Sequence, residues 1–178
     1  MRIFKGCLVC LLTIILLFSI LIFLYNRKLS KEIVIDNQKT AKSFEEYKNK
    51  LKERNKILIN SNIKDSIKNL AKKSDSTIQN SKKLNNILWT EFYLNQKIYE
   101  IDTLKKLNSE LNEKLIQYNS DANEFNSKWL PIPNTFILTN SGFKSYETMY
   151  IDYGMDNSAN MEKRKKVDHW IKTGEVIE

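Results

Sequence analysis

The chain has 178 residues, 42 % of them hydrophobic, which suits one folded domain with an appendage. Twenty-nine basic residues against 21 acidic ones leave a formal charge of +8. The lysines are scattered among Glu and Asp, the pattern of solvated helix faces. No recognition motif or clustered basic face for nucleic acid appears.

Between Lys5 and Arg27 there is no charged side chain. Residues 6–26 form an apolar run of 21 residues, which as a helix spans roughly 30 Å, the thickness of a bilayer's hydrocarbon core. Phe4 at one end and Phe23 and Tyr25 at the other suit the headgroup level. The run is long for a signal peptide, and no small-x-small pair precedes a cut near Tyr25. Cys7 and Cys10 precede the apolar core instead of ending it, unlike a lipoprotein signal, and their Cys-x-x-Cys spacing lacks a folded polar setting. Residues 1–27 are therefore expected to be an uncleaved single-pass anchor, with the lipid bilayer as partner of residues 6–26. Arg2 and Lys5 on one side against Arg27, Lys28 and Lys31 on the other lean towards a cytoplasmic body, by a margin of one residue. A body held near the bilayer with this basic excess would be attracted to anionic headgroups.

Residues 28–42 read as a juxtamembrane linker or an extension of the anchor helix. From residue 7 to residue 130 there is neither Gly nor Pro, so turns must rely on Asn, Ser and Asp. Phe44, Tyr47, Leu51 and Leu58 suggest a first soluble helix, with Ser43 as N-cap and Glu46 as its capping-box partner. It either breaks at Asn60-Ser61-Asn62 or continues through Ile63, Ile67, Leu70 and Ala71. Residues 72–76 (KKSDS) are the turn candidate, followed by a helix carrying Ile78, Leu84, Leu88 and Phe92. A polar gap spans residues 95–100, with Asp102 as the next N-cap.

The clearest helix is residues 104–129. Leu104, Leu107, Leu111, Leu115, Tyr118, Ala122, Phe125 and Trp129 recur at steps of three or four and share one stripe. Asn119 and Asn126 each follow an aromatic on that stripe and lie two turns apart on its edge. As a functional feature they would be a polar ladder for a partner protein. As a structural one they hydrogen-bond a neighbouring helix and fix its register. The structural role is favoured, since buried polar groups are usually satisfied within the fold.

Leu130-Pro131-Ile132-Pro133 ends the helix. An apolar patch (Phe136, Ile137, Leu138) and a Gly142 free to take a positive φ follow. Tyr146, Met149, Tyr150, Ile151 and Tyr153 are expected to pack against the bundle end, and residues 154–178 to form a polar, largely unordered tail. The fold class read from this pattern is all-α: an N-terminal transmembrane helix, then an antiparallel bundle of three to four long helices over residues 43–153. A long parallel coiled coil is the runner-up, interrupted by the polar breaks at Asn60 and Asn95.

Tyr118-Asn119, Phe125-Asn126, Pro131, Gly142-Phe143-Lys144 and Tyr146-Glu147 together resemble the C-terminal signature of the LemA family of bacterial membrane proteins. Tyr25-Asn26 resembles the Tyr-Asn that often ends that family's anchor. Phe44, Tyr47, Leu51, Arg54 and Asn60 match the spacing of its first soluble helix, and Lys166-Val167-Asp168 its short ending. Leu58-Ile59-Asn60 lacks the family's following Pro, the linker is longer, and Asn108-Ser109 and Leu115 stand where Glu-Asn and Arg are usual, so the chain resembles a divergent member. The resemblance implies a bacterial inner-membrane anchor and a helical bundle, and no activity.

No catalytic, cofactor-binding or metal-binding residue is assigned. His169 is the single histidine and has no sequence-placed nucleophile, and no phosphate-binding loop or metal motif appears. Tyr118, Asn119, Phe125, Asn126, Gly142 and Phe143 are the candidate structural or interaction residues. The expected function is a non-catalytic scaffold that meets another membrane or envelope protein, with no nucleic-acid partner. A structural homo-oligomer is the alternative, and an envelope enzyme the third.

Overall fold

The computed structural model describes residues 2–80 and 84–175, with side chains from Leu12 onward. The expected roles of Phe4, Cys7, Cys10 and the charges of Arg2 and Lys5 concern side chains outside the described residues. The described chain is helical, with no strand. It comprises α1 (Arg2–Asn60), α2 (Asp65–Asn80), α3 (Leu84–Ile98), a 3-10 turn (Asp102–Leu104), α4 (Lys105–Trp129), a short α5 (Asn134–Asn140) and α6 (Ser158–Thr173).

Helix α1 is continuous for 59 residues, about 90 Å at the standard rise. Its apolar first part is exposed all round from Leu12 to Lys28, and it is the one described helix long and apolar enough to cross a membrane. Of the two readings of residues 28–42, the helix extension is the one realised. No new helix begins at Ser43. Its hydroxyl donates to the Thr40 carbonyl one turn back, and Glu46 pairs with Lys114 of α4 instead of closing a capping box. Leu29 and Ile33 are already buried, so the bundle begins one turn after the apolar run.

Helix α1 ends at Asn60, where Ser61 donates from its backbone and its hydroxyl to the Leu58 carbonyl. Residues 72–76 are not a turn. Ser74 lies on the same buried stripe of α2 as Ile67, Ala71 and Ile78, and its hydroxyl finds a carboxylate across the bundle, so the helix has no polar reason to break there. Helix α4 spans the expected residues to within one position, and all eight members of its stripe are buried.

The apolar core forms three layers along the bundle. Leu29, Ile33, Phe125, Trp129 and Leu138 make the layer nearest the apolar half of α1. Tyr47, Leu51, Ile78, Leu88, Phe92, Leu115 and Tyr118 lie in the middle. Leu58, Ile67, Ala71, Leu94, Ile98 and Leu107 close the far end. Along the α1–α4 seam, Lys39 meets Asp121 and Glu124, Glu46 meets Lys114, and Lys50 meets Glu110. The residue numbers rise on α1 as they fall on α4 at the same step, which is antiparallel packing in one register. Such surface pairs add little stability each but disfavour a slipped alignment.

Two expectations about the C-terminal part fail. The segment after Gly142 does not cap the bundle end; it runs extended along the side of α4. Residues 158–173, expected to be unordered, form α6. The Asp156 carboxylate accepts the Ser158 backbone N–H at 2.9 Å at the start of this helix. Further on, the Asp168 carboxylate accepts Trp89 Nε1–H at 3.0 Å and Asn85 Nδ2–H at 3.3 Å from α3. A polar helix without a fully buried residue is thus docked by that carboxylate and by Met161, which packs against the middle core layer, contacts that no hydrophobic period announces.

Burial pushes the Asp168 carboxyl up, but the Trp89 and Asn85 hydrogen bonds and the Arg164 guanidinium outweigh it and hold it below the usual carboxylate value. The contribution of this contact is therefore present above the ordinary carboxylate range and lost as pH falls through the depressed value. As pH falls through and below the ordinary carboxylate range, the protection of α6 amides relative to their intrinsic exchange rate should fall. In Asp168→Asn that protection should be low already at neutral pH and flat across the same range. Equal pH dependence in both proteins would contradict this role.

Candidate functional site

Three asparagines on α4, at steps of seven, hold the extended segment by both of its backbone groups. Asn126 Nδ2 donates to the Tyr146 carbonyl at 2.7 Å while its Oδ1 accepts the Tyr146 N–H at 2.9 Å. Asn119 does the same to Met149, at 2.6 and 3.0 Å. Asn112 does the same to Tyr153, at 3.1 and 2.9 Å. A fourth amide, Asn95 on α3, continues the series by accepting the Gly154 N–H at 3.1 Å and donating to the Met155 carbonyl at 2.9 Å.

The spacing works because the two periods match. Seven helical residues advance about 10.5 Å, and three or four extended residues cover about 10–13 Å. Each primary amide carries an acceptor and two donors, so one side chain satisfies the N–H and C=O that a neighbouring strand would otherwise satisfy. Burial alternates along the strap: Met149, Ile151 and Tyr153 face the core while Tyr150 is exposed.

The strap enters through Gly142, whose φ of 73° is left-handed, and Phe143 packs against the first core layer. Phe125 meets the Tyr146 ring edge-on at 5.1 Å and 88°. The Tyr118 hydroxyl donates to the Glu147 carbonyl, and burial pushes its pKa up, so it remains a neutral donor. All six candidate residues therefore belong to one device, the seating of the strap. The partner of Asn119 and Asn126 is an extended segment instead of a neighbouring helix. Sequence reading missed Asn112 because Leu111, not an aromatic, precedes it. The available signal was the heptad of apolar-Asn pairs, Leu111-Asn112, Tyr118-Asn119 and Phe125-Asn126.

The strap ends over a second feature, a buried polar centre between the middle and far core layers. Arg54 and Glu91 are both fully buried and meet at 2.8 Å. Ser74 donates to Glu91 Oε1 at 2.6 Å and Tyr153 to Oε2 at 3.1 Å. Since the Tyr153 proton is thus engaged, the Tyr47 hydroxyl donates to Tyr153 in the contact between them. Arg54 Nη2 also donates to Asn55 Oδ1 at 2.8 Å, and Asn55 Nδ2 donates to Ser74 and Asp75. Burial opposes the Arg54 charge, but Glu91 and the two tyrosines outweigh it and the guanidinium holds its proton more firmly than usual. Burial, then the neighbouring Glu91 charge, pushes Tyr47 and Tyr153 up, and both stay neutral. This arrangement ties α1, α2, α3 and the strap together and leaves Arg54 Nη1 buried without a hydrogen-bond partner. Among the described residues no group of three or more His, Cys, Asp or Glu side chains is placed to hold a metal ion.

In comparisons with known proteins, no family model matches the sequence, and no curated protein or solved structure matches it either.

Asn119→Ala or Asn126→Ala removes two hydrogen bonds and leaves strap backbone groups unpaired, and should cost about 1–3 kcal/mol each in thermal unfolding in detergent. Asn119→Asp keeps the acceptor but opposes the Met149 carbonyl, so it should not rescue. Unchanged stability in the alanine variants together with loss of a co-purifying protein would make the amides a recognition site instead. Glu91→Ala strands the buried guanidinium and should cost about 3–5 kcal/mol. The double variant Arg54→Met with Glu91→Leu should be less destabilised than the two single changes added together; strict additivity would show that the pair is not coupled.

Proposed function

We propose that this chain is a membrane-anchored, LemA-like helical module without catalytic activity, which presents its bundle beside the bacterial inner membrane to another membrane or envelope protein. The observation that carries this reading is the two-part character of α1. Its first part is apolar and exposed on every face, and without a break in the helix its second part becomes bundle core. An apolar helix exposed all round needs lipid or other helices around it, and the rigid join holds the bundle at a fixed height above that surface. The charge balance favours a cytoplasmic bundle. Support for a protein partner comes from α6, where Val167, Trp170 and Ile171 are exposed. Large apolar side chains grouped on one helix face are the common anchors of protein contacts.

The same face also suits a second copy of the chain, which is the alternative reading. Crosslinking followed by mass spectrometry on intact membranes separates the two. The proposal expects crosslinks from the lysines of α6 to a different protein, lost in a Trp170→Ala, Ile171→Ala variant that is still folded. A ladder of self-crosslinks with the same dependence would establish the oligomer. Crosslinks no richer than those of an unrelated single-pass protein would contradict both.

A further inference from the structure

The elbow that joins α4 to α5 exposes three large apolar side chains, Leu130, Ile132 and Phe136, with Ile132 79 % and Phe136 63 % accessible. Their position along α1 is fixed. Leu138 of α5 packs with Leu29 and Ile33, which lie three and seven residues beyond Asn26, about 5 and 10 Å along the helix. Phe136 comes closer still. It lines, with Ile137 and Pro133, a groove of about 490 Å³ whose opposite wall is Tyr25, Asn26 and Leu29 at the end of the apolar run. The elbow therefore stands level with the end of the apolar run, on the same side of it as the bundle.

The charge around this height is basic. Arg27, Lys28 and Lys31 on α1 and Lys144 at the start of the strap are exposed. The acidic groups facing the same region, Glu32 and Asp36, are engaged by Lys28 and Lys128. Apolar side chains at the level where a membrane helix leaves the hydrocarbon, with basic ones at the same height on α1, match the headgroup region of an anionic bilayer.

We propose that the α4–α5 elbow is a second membrane contact, in which Ile132 and Phe136 insert among the headgroups beside α1 and a phospholipid occupies the groove between α1 and α5. This rests on the reading of α1 as a membrane anchor. The contact fixes the tilt of the bundle: a single helix leaves the body free to lean, whereas two insertion points hold one face against the surface. The neutral polar side chains on the bundle side of the groove, Ser30 and Asn140 among them, offer donors to phosphate and ester oxygens, while Tyr25 and Phe136 flank the upper acyl chain.

The full chain, with Cys7→Ser and Cys10→Ser, is reconstituted into vesicles of phosphatidylcholine and phosphatidylglycerol. It carries one nitroxide at a time, on Ile132→Cys, Phe136→Cys, Leu17→Cys or Ile116→Cys. Leu17 reports the anchor, and Ile116 an exposed site on the body. Collision with oxygen and with a water-soluble nickel complex is then measured for each label. The proposal expects lipid-like accessibility at positions 17, 132 and 136 and water-like accessibility at 116. Water-like values at both 132 and 136 with a lipid-like 17 overturn the elbow contact and leave the anchor standing. A water-like 17 overturns the anchor reading and this inference with it.

Discussion

The structure depends on a match between two repeats. A helix advances as far in seven residues as an extended chain does in three or four, so Asn112, Asn119 and Asn126 can each meet a fresh backbone amide on the strap. The strap thereby gains the hydrogen-bond satisfaction of a strand without any sheet. Backbone groups brought against a protein surface must be paired, and here the partner is a column of side chains. Because each asparagine grips the N–H and the C=O of one residue, the strap cannot slide by one position without losing all of the pairs together. That also turns Met149, Ile151 and Tyr153 inward and delivers Tyr153 to the buried carboxylate of Glu91.

The polar centre follows from that delivery. Glu91 receives Arg54 from α1, Ser74 from α2 and Tyr153 from the strap, so three separate elements converge on one α3 side chain. A buried ion pair gains little over an apolar pair of equal volume, but a wrongly docked element would leave a charge unpaired. The turn that follows has its own constraint. Gly154 takes a φ of 82°, which strains any other residue, and a Cβ there would stand 3.0 Å from the Asn108 side chain, which would have to shift. The centre and the glycine turn fix the end of the strap as the asparagines fix its length.

The apolar stripe of α4 and the anchor-like run of α1 were legible from period and composition, because burial on one face and exposure on all faces leave different patterns. The buried positions of the first soluble helix, Tyr47, Leu51 and Leu58, were legible for the same reason. The starts and stops of helices were less so. Ser43 and the KKSDS stretch carry the residues of caps and turns, but their hydroxyls are satisfied within a continuing helix or across the bundle. Of the candidate site, Asn119 and Asn126 were visible as a pair with the correct structural sense, whereas the nature of their partner was not. A side-chain amide that replaces a strand leaves no period of its own in the segment it holds. Helix α6 was missed because its docking rests on Asp168 with two α3 donors and on the one apolar side chain of Met161, contacts made between distant parts of the chain that leave no period.

Amide hydrogen exchange of the full chain in lipid nanodiscs, resolved at Tyr146, Met149 and Tyr153, tests the central claim most directly. If the asparagine column holds the strap as a strand is held, these three amides exchange as slowly as those of the α4 core, while the intervening Tyr150 amide exchanges faster. Rapid exchange at all three, at the rate of an exposed loop, would contradict the account.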